Sequence, residues 1–141
     1  MAHLPSKAEH TTTVDAAVEA FRRGFQPVPV KYGSKVPMGS AWTQLKWESE
    51  EQVRASFEKY PEKGAPNLGI VLGKSSKGLV DVDLDHPTAL KLRDYFIPPT
   101  PMKSGRIGRP KSHHWYLING DFPPTRQYKL PGGSTIIDLL S

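Results

Sequence analysis

The stretch Leu79-Val80-Asp81-Val82-Asp83-Leu84 constrains this chain more than any other, because apolar and acidic residues alternate through it. Successive side chains of a strand point to opposite faces, so Val80, Val82 and Leu84 share one face and both carboxylates share the other. The pattern predicts a sheet with one covered face and one face that carries adjacent like charges. Neighbouring carboxylates repel, and a divalent cation is one way to neutralise them. A half-buried strand with a solvated polar face is the plainer reading, and spacing alone leaves both open.

The elements around this strand follow from local signals. Thr11-Thr12-Thr13 offers N-cap hydroxyls before Val14, Ala17, Val18 and Phe21, which share a helical face, and Gly24 fits the stop. Phe25 to Val30 alternates apolar residues but contains Pro27 and Pro29, which cannot donate to a ladder; a short edge strand is expected. Lys31 to Ser40 reads as a turn-rich basic loop. Ser49 and Gln52 have capping-box spacing before Val53 and Phe57, so a helix is expected from Glu50 to about Lys59, ended by Pro61. Leu68 to Gly73 and Leu79 to Leu84 read as strands paired in a hairpin across a Ser/Gly-rich connection. Thr88 to Phe96 is expected to be helical and is stopped by Pro98-Pro99-Thr100-Pro101. Ser104 to Lys111 reads as a loop leading into a strand from Ser112 to Ile118, and Thr135 to Leu140 is the last strand expected. The sum is an α+β pattern.

Two further groups of residues carry chemistry. Ser112-His113-His114-Trp115-Tyr116 follows Arg106, Arg109 and Lys111, joining imidazoles to anion-binding cations. In strand register Ser112, His114 and Tyr116 share one face, and His113, Trp115 and Leu117 the other. The bulkier apolar set accompanies His113, so His114 is expected to face the site. An ordinary surface or core-edge histidine, and a solvated basic turn, are the bland readings. Further on, Asp138 interrupts the β-branched, apolar run Thr135-Ile136-Ile137, either as an exposed edge residue or as a third carboxylate beside Asp81 and Asp83. Asp85 is expected to cap the following helix, and His86 to sit in the turn before Pro87.

Composition narrows the partners. Nineteen Lys and Arg against fourteen Asp and Glu leave a net charge of +5, which favours a polyanion such as nucleic acid or nucleotide phosphate. Fourteen prolines and twelve glycines argue against a helical bundle. There is no cysteine, so any metal must be held by Asp, Glu, His or backbone oxygen. Residues 1–10 read as a disordered leader without a signal-peptide core, and no apolar run is long enough to span a membrane; a cytoplasmic protein is expected. The 141 residues are about one domain's worth of chain.

Taken in order, these features resemble the bifunctional primase-polymerase N-terminal domain of phage and plasmid replication proteins, in the archaeo-eukaryotic primase superfamily. The resemblance runs from a helix before Arg23-Gly24-Phe25, through Pro27-Val28-Pro29, Lys35-Val36-Pro37, Trp42 and Asn67 to Gly73, into the Asp-x-Asp strand. The family's motifs map onto Asp81-x-Asp83, Ser112-x-His114 and Asp138, and the tandem His113-His114 admits a second register with His113 in the motif.

The resemblance implies an RRM-like mixed or antiparallel sheet flanked by helices, occupying residues 11–141 and truncated at its C-terminus, where relatives continue. It also implies a metal-dependent, template-directed nucleotidyltransferase: a DNA primase or polymerase. Asp81, Asp83 and Asp138 would be catalytic and hold two Mg2+ or Mn2+ ions. Ser112 with His114, or His113, would bind the nucleotide, and Arg106, Arg109 and Lys111 would compensate triphosphate or template charge. The partners implied are nucleoside triphosphates, a single-stranded DNA template and a helicase domain or subunit, and no membrane. Two rivals stand beside this reading. One is a Rep-like metal-dependent endonuclease, which needs alternating rather than adjacent histidines. The other is a non-catalytic nucleic-acid-binding module using Trp115 and Tyr116.

Overall fold

The computed structural model describes residues 11–60 and 64–141, which divide into two compact units, one running to Val71 and the other from Leu72. The expected leader at residues 1–10 and the expected helix stop at Pro61 lie outside the described residues.

In the first unit, α1 (Thr13–Arg22) starts at Thr12, whose hydroxyl accepts from the Asp15 backbone N–H at 3.1 Å while the Asp15 carboxylate accepts from the Thr12 N–H. A cap of this kind is worth about 1 kcal/mol. Gly24 takes φ +88° just past the helix, a conformation that costs glycine nothing. α2 (Glu50–Glu58) is capped by the Ser49 hydroxyl, but the Gln52 side chain reaches back one residue further than in a standard box, to the Glu48 N–H. Ala17 and Val18 of α1 meet Val53 and Phe57 of α2 in a core edged by Val14, Phe21, Trp47 and Leu68. β1 (Gln26–Val30) pairs antiparallel with β2 (Asn67–Val71) in a two-stranded sheet, where every strand is an edge and Pro27 and Pro29 are tolerated.

The second unit is a five-stranded antiparallel sheet in the order β4-β5-β3-β7-β6, with α3 (Pro87–Phe96) lying against β3 (Leu79–Leu84) and β7 (Thr135–Leu140). Val80 and Leu84 are buried, as is Ala89 of α3. Among the described residues the antiparallel ladders and three α-helices match the α+β expectation. Among the described residues no helix is long and apolar enough to cross a membrane.

Three expectations fail here for physical reasons. β2 and β3 do not form a hairpin: both edges of β3 are taken, by β5 (Arg109–Leu117) and β7, and β2 belongs to the other sheet. The connection instead closes on itself, with Ser76 and Gly78 N–H groups donating to the Gly73 carbonyl. Ser104 to Lys111 is not a loop. β4 (Lys103–Arg106) and β5 form a hairpin around Ile107-Gly108, and a Cβ at Gly105 would run into the Arg109 carbonyl. Asp85 does not cap α3; the His86 ring accepts from the Thr88 N–H at 3.1 Å and Pro87 occupies the first helical position. β6 (Arg126–Lys129), which no sequence signal announced, pairs with β7.

Candidate functional site

Cross-strand register decides which side chains meet. Asp83 stands between His113 on β5 and Asp138 on β7, and Asp81 between Trp115 and Leu140. Direct partners in an antiparallel pair project from the same face. One face of the second unit's sheet therefore carries Asp81, Asp83, His113, Trp115 and Asp138. Val80, Val82, Leu84, Ser112, His114 and Tyr116 lie on the other.

His113 is the hub of this face. Its Nδ1 lies 2.7 Å from Oδ2 of Asp81 and 3.7 Å from Oδ1 of Asp83, and its ring stacks on Trp115 at 5.9 Å between centroids. The Trp115 indole donates to the Ser104 hydroxyl at 2.9 Å, which pins the stack to β4. Asp81 is only 2% exposed, and its Oδ1 has no hydrogen-bond partner; Oδ1 of Asp138 is likewise buried without one. Burial pushes the Asp138 carboxyl above the usual carboxylate range; the Asp85 carboxyl adds to the rise, and a hydrogen bond with Gln127 opposes it.

The expected placement of His114 is corrected. His114 does share a face with Ser112, but it is the buried face opposite the carboxylates: His114 is 2% exposed, Ser112 is 3% exposed, and neither ring nitrogen of His114 has a partner. Burial drives its imidazole pKa down. Tyr116, on the same side, donates to the Pro98 carbonyl at 2.6 Å. The residue that faces Asp81 and Asp83 is His113.

Asp81, Asp83 and Asp138 do share one face of adjacent strands, yet among the described residues no group of three or more His, Asp or Glu side chains is gathered tightly enough to hold a metal ion. Strand geometry sets positions two apart about 7 Å from each other, and like charges do not close that gap unaided. The His113 ring stands between Asp81 and Asp83 instead.

Asp85 joins the site unannounced. Its carboxylate accepts from Nη1 of Arg109 at 2.9 Å and lies beside the Asp138 carboxyl. The signal was present in the sequence, since Asp81, Asp83 and Asp85 alternate and so share a face. Arg109 is thereby committed to an ion pair. Arg106 and Lys111 are exposed on the β4–β5 hairpin. The arrangement offers hard oxygen donors and an imidazole on one sheet face, with cations flanking it, a set suited to phosphate chemistry.

The model of a family described as bifunctional DNA primase/polymerase, N-terminal, matches residues 17–138, a span that includes every acidic and histidine residue of this face. No curated protein matches the chain.

Proposed function

The chain belongs to the bifunctional DNA primase/polymerase N-terminal family, and from that premise we propose that the carboxylate face of the second unit transfers nucleotides to a growing strand in a metal-dependent reaction. The observation that carries the proposal is the shared face of Asp81, Asp83 and Asp138 on β3 and β7, with a buried, unpartnered carboxylate oxygen on Asp81 and another on Asp138. Such oxygens are costly to bury unless a cation or proton meets them, and carboxylate oxygen is what magnesium and manganese take. Asp81, Asp83 and Asp138 would be the holders of such ions, whose charge would draw the separated carboxylates together.

The ions would activate the attacking 3′ hydroxyl and neutralise the departing pyrophosphate. The protein's own part is orientation. Asp81 fixes the His113 ring through its 2.7 Å contact, and Trp115 stacks against it, so the imidazole is presented in one pose to a phosphate oxygen of the incoming nucleoside triphosphate. Of the two histidines to which the resemblance opened the nucleotide-binding part, His113 takes it, and the buried Ser112 beside it supplies the strand rather than a ligand. Arg109 steadies Asp85 next to Asp138, while Arg106 and Lys111 offer charge to the triphosphate or template. A role in phage- or plasmid-type replication, with single-stranded DNA as template and a helicase as a working partner, completes the reading.

Incorporation of labelled nucleotide on a primed DNA template with magnesium or manganese tests it. Incorporation that needs the metal and disappears in Asp81→Asn supports the proposal. Nicking of the template in place of extension would point to a nuclease, and DNA binding without either reaction to a non-catalytic module.

A further inference from the structure

Between Met102 and Lys111 the chain holds four cations, Lys103, Arg106, Arg109 and Lys111, and no acid. Arg106 and Arg109 are direct cross-strand partners in the β4–β5 hairpin, and like charges set opposite each other cost stability. Asp85 answers one of the pair, through Arg109 at 2.9 Å. Among the described residues no acid forms an ion pair with Arg106, Lys103 or Lys111. The hairpin thus retains repulsion that folding does not relieve and that a polyanion would.

Position adds to charge. Arg109 reaches Asp85 on the carboxylate face, and its cross-strand partner Arg106 projects from that same face, so the cationic end of the hairpin lies beyond the Asp85 end of the acidic row. At the turn Ile107 is fully exposed, with a relative accessibility of 103%. One exposed isoleucine is ordinary. Flanked by unanswered cations, it completes the pairing of charge for phosphates with an apolar surface for bases that single-strand contacts use. A strand led to a row of carboxylates also needs its own charge met outside them.

We propose that the tip of the β4–β5 hairpin is a contact for single-stranded nucleic acid, in which Arg106 and Lys111 meet backbone phosphates and Ile107 packs against a base. The proposal rests on the transfer reading only for where the bound strand leads; the binding itself requires neither metal nor nucleotide.

Fluorescence anisotropy of a labelled oligothymidylate, titrated with the full chain in chelator over a salt series, tests this. Arg106→Ala is expected to lower the slope of log K against log salt by about 0.7, the contribution of one single-strand phosphate. Ile107→Asn is expected to weaken binding about tenfold with the slope unchanged, the scale for exposing one aliphatic side chain. Lys91→Ala, an exposed cation on α3, serves as the control for general basicity. A slope change in Arg106→Ala no larger than in Lys91→Ala, or unaltered affinity in Ile107→Asn, overturns the proposal. Thermal melts of each variant confirm that the fold is kept. Binding that depends on Arg106 in a chain that incorporates no nucleotide would sink the transfer reading and leave this one; incorporation with an unchanged Arg106→Ala slope would do the reverse.

Discussion

Nδ1 of His113 lies 2.7 Å from Oδ2 of Asp81, across the β5–β3 ladder, while the adjacent His114 is buried on the far side of the same sheet. A one-residue step along a strand reverses the face, so the two histidines have different tasks.

His113→Ala is accordingly expected to weaken nucleoside triphosphate binding, with little effect on stability beyond the lost contact to Asp81. His114→Ala is expected to leave nucleotide affinity near wild type but to cost about 2 kcal/mol or more of stability, because it empties a filled core position. Isothermal titration with nucleotide, beside thermal melts of both variants, separates these effects. Loss of nucleotide affinity in His114→Ala alone would place the site on the other face.

The buried His114 also sets an acid limit on stability. Burial lowers its pKa in the folded chain, so its contribution is present above the unfolded imidazole value of about 6.5 and is lost as pH falls toward the lower folded value. His114→Leu is expected to remove that loss, giving a melting temperature that declines less than wild type between about pH 6.5 and pH 5. Parallel declines would exclude His114 as the group responsible.

Asp81→Asn and Asp83→Asn are each expected to reduce nucleotide incorporation by about 100-fold or more, the scale on which loss of a charge-stabilising group is felt. Neither should lower the melting temperature, since removing one of two neighbouring like charges relieves repulsion, and an Asn at position 81 still offers an oxygen to His113. Both quantities come from one preparation of each variant, by primer extension and a thermal melt. Wild-type incorporation in either variant would remove that carboxylate from the transfer site.

How much of this was legible beforehand depended on whether the signal was local. Thr12 and Ser49 mark their helix starts in sequence, and the alternation of β3 and the β-branched run of β7 are self-contained. Pairing is not local. Nothing in Leu68 to Leu84 says that β5 and β7 will occupy both edges of β3. β4 and β6 are short, polar and exposed edge strands, Lys-Ser-Gly-Arg and Arg-Gln-Tyr-Lys, with no apolar period to betray them. The histidine register failed because Trp115 and Leu117 looked like the covered set. In the fold Leu117 is half exposed, Trp115 spends its surface on the His113 ring, and the smaller Ser112 and His114 are the buried ones. Asp85 was hidden by its own suitability as a cap, a role that His86 takes.

Gly78 illustrates a constraint of backbone rather than side chain. It holds φ +84° at the entrance to β3, its carbonyl accepts from the Ile118 N–H at 2.8 Å, and a Cβ there would collide with the Ile118 carbonyl and crowd the Phe122 ring. Gly78→Ala is expected to destabilise the second unit by about 1–3 kcal/mol, read as a lower denaturation midpoint with the same slope. An unchanged midpoint would mean that the β3 entrance shifts freely.

The Asp138 carboxyl gives the clearest pH signature. Burial raises its pKa, and the neighbouring Asp85 carboxyl raises it further against the opposing bond with Gln127. A carboxyl whose folded pKa is raised contributes stability that is complete below its unfolded value of about 3.9 and is lost as pH rises through the folded value. At neutral pH, in chelator, the folded chain therefore carries Asp138 at a cost that an uncharged isostere avoids. Asp138→Asn is expected to melt above wild type at pH 7, and the difference should shrink toward zero as pH falls to about 4. Primer extension by the same variant should fall together with that gain, because the charge that burdens the metal-free fold is the one the proposed transfer site would use. A variant that melts below wild type at every pH would assign Asp138 a structural part, and stable folding with full incorporation would remove it from the site.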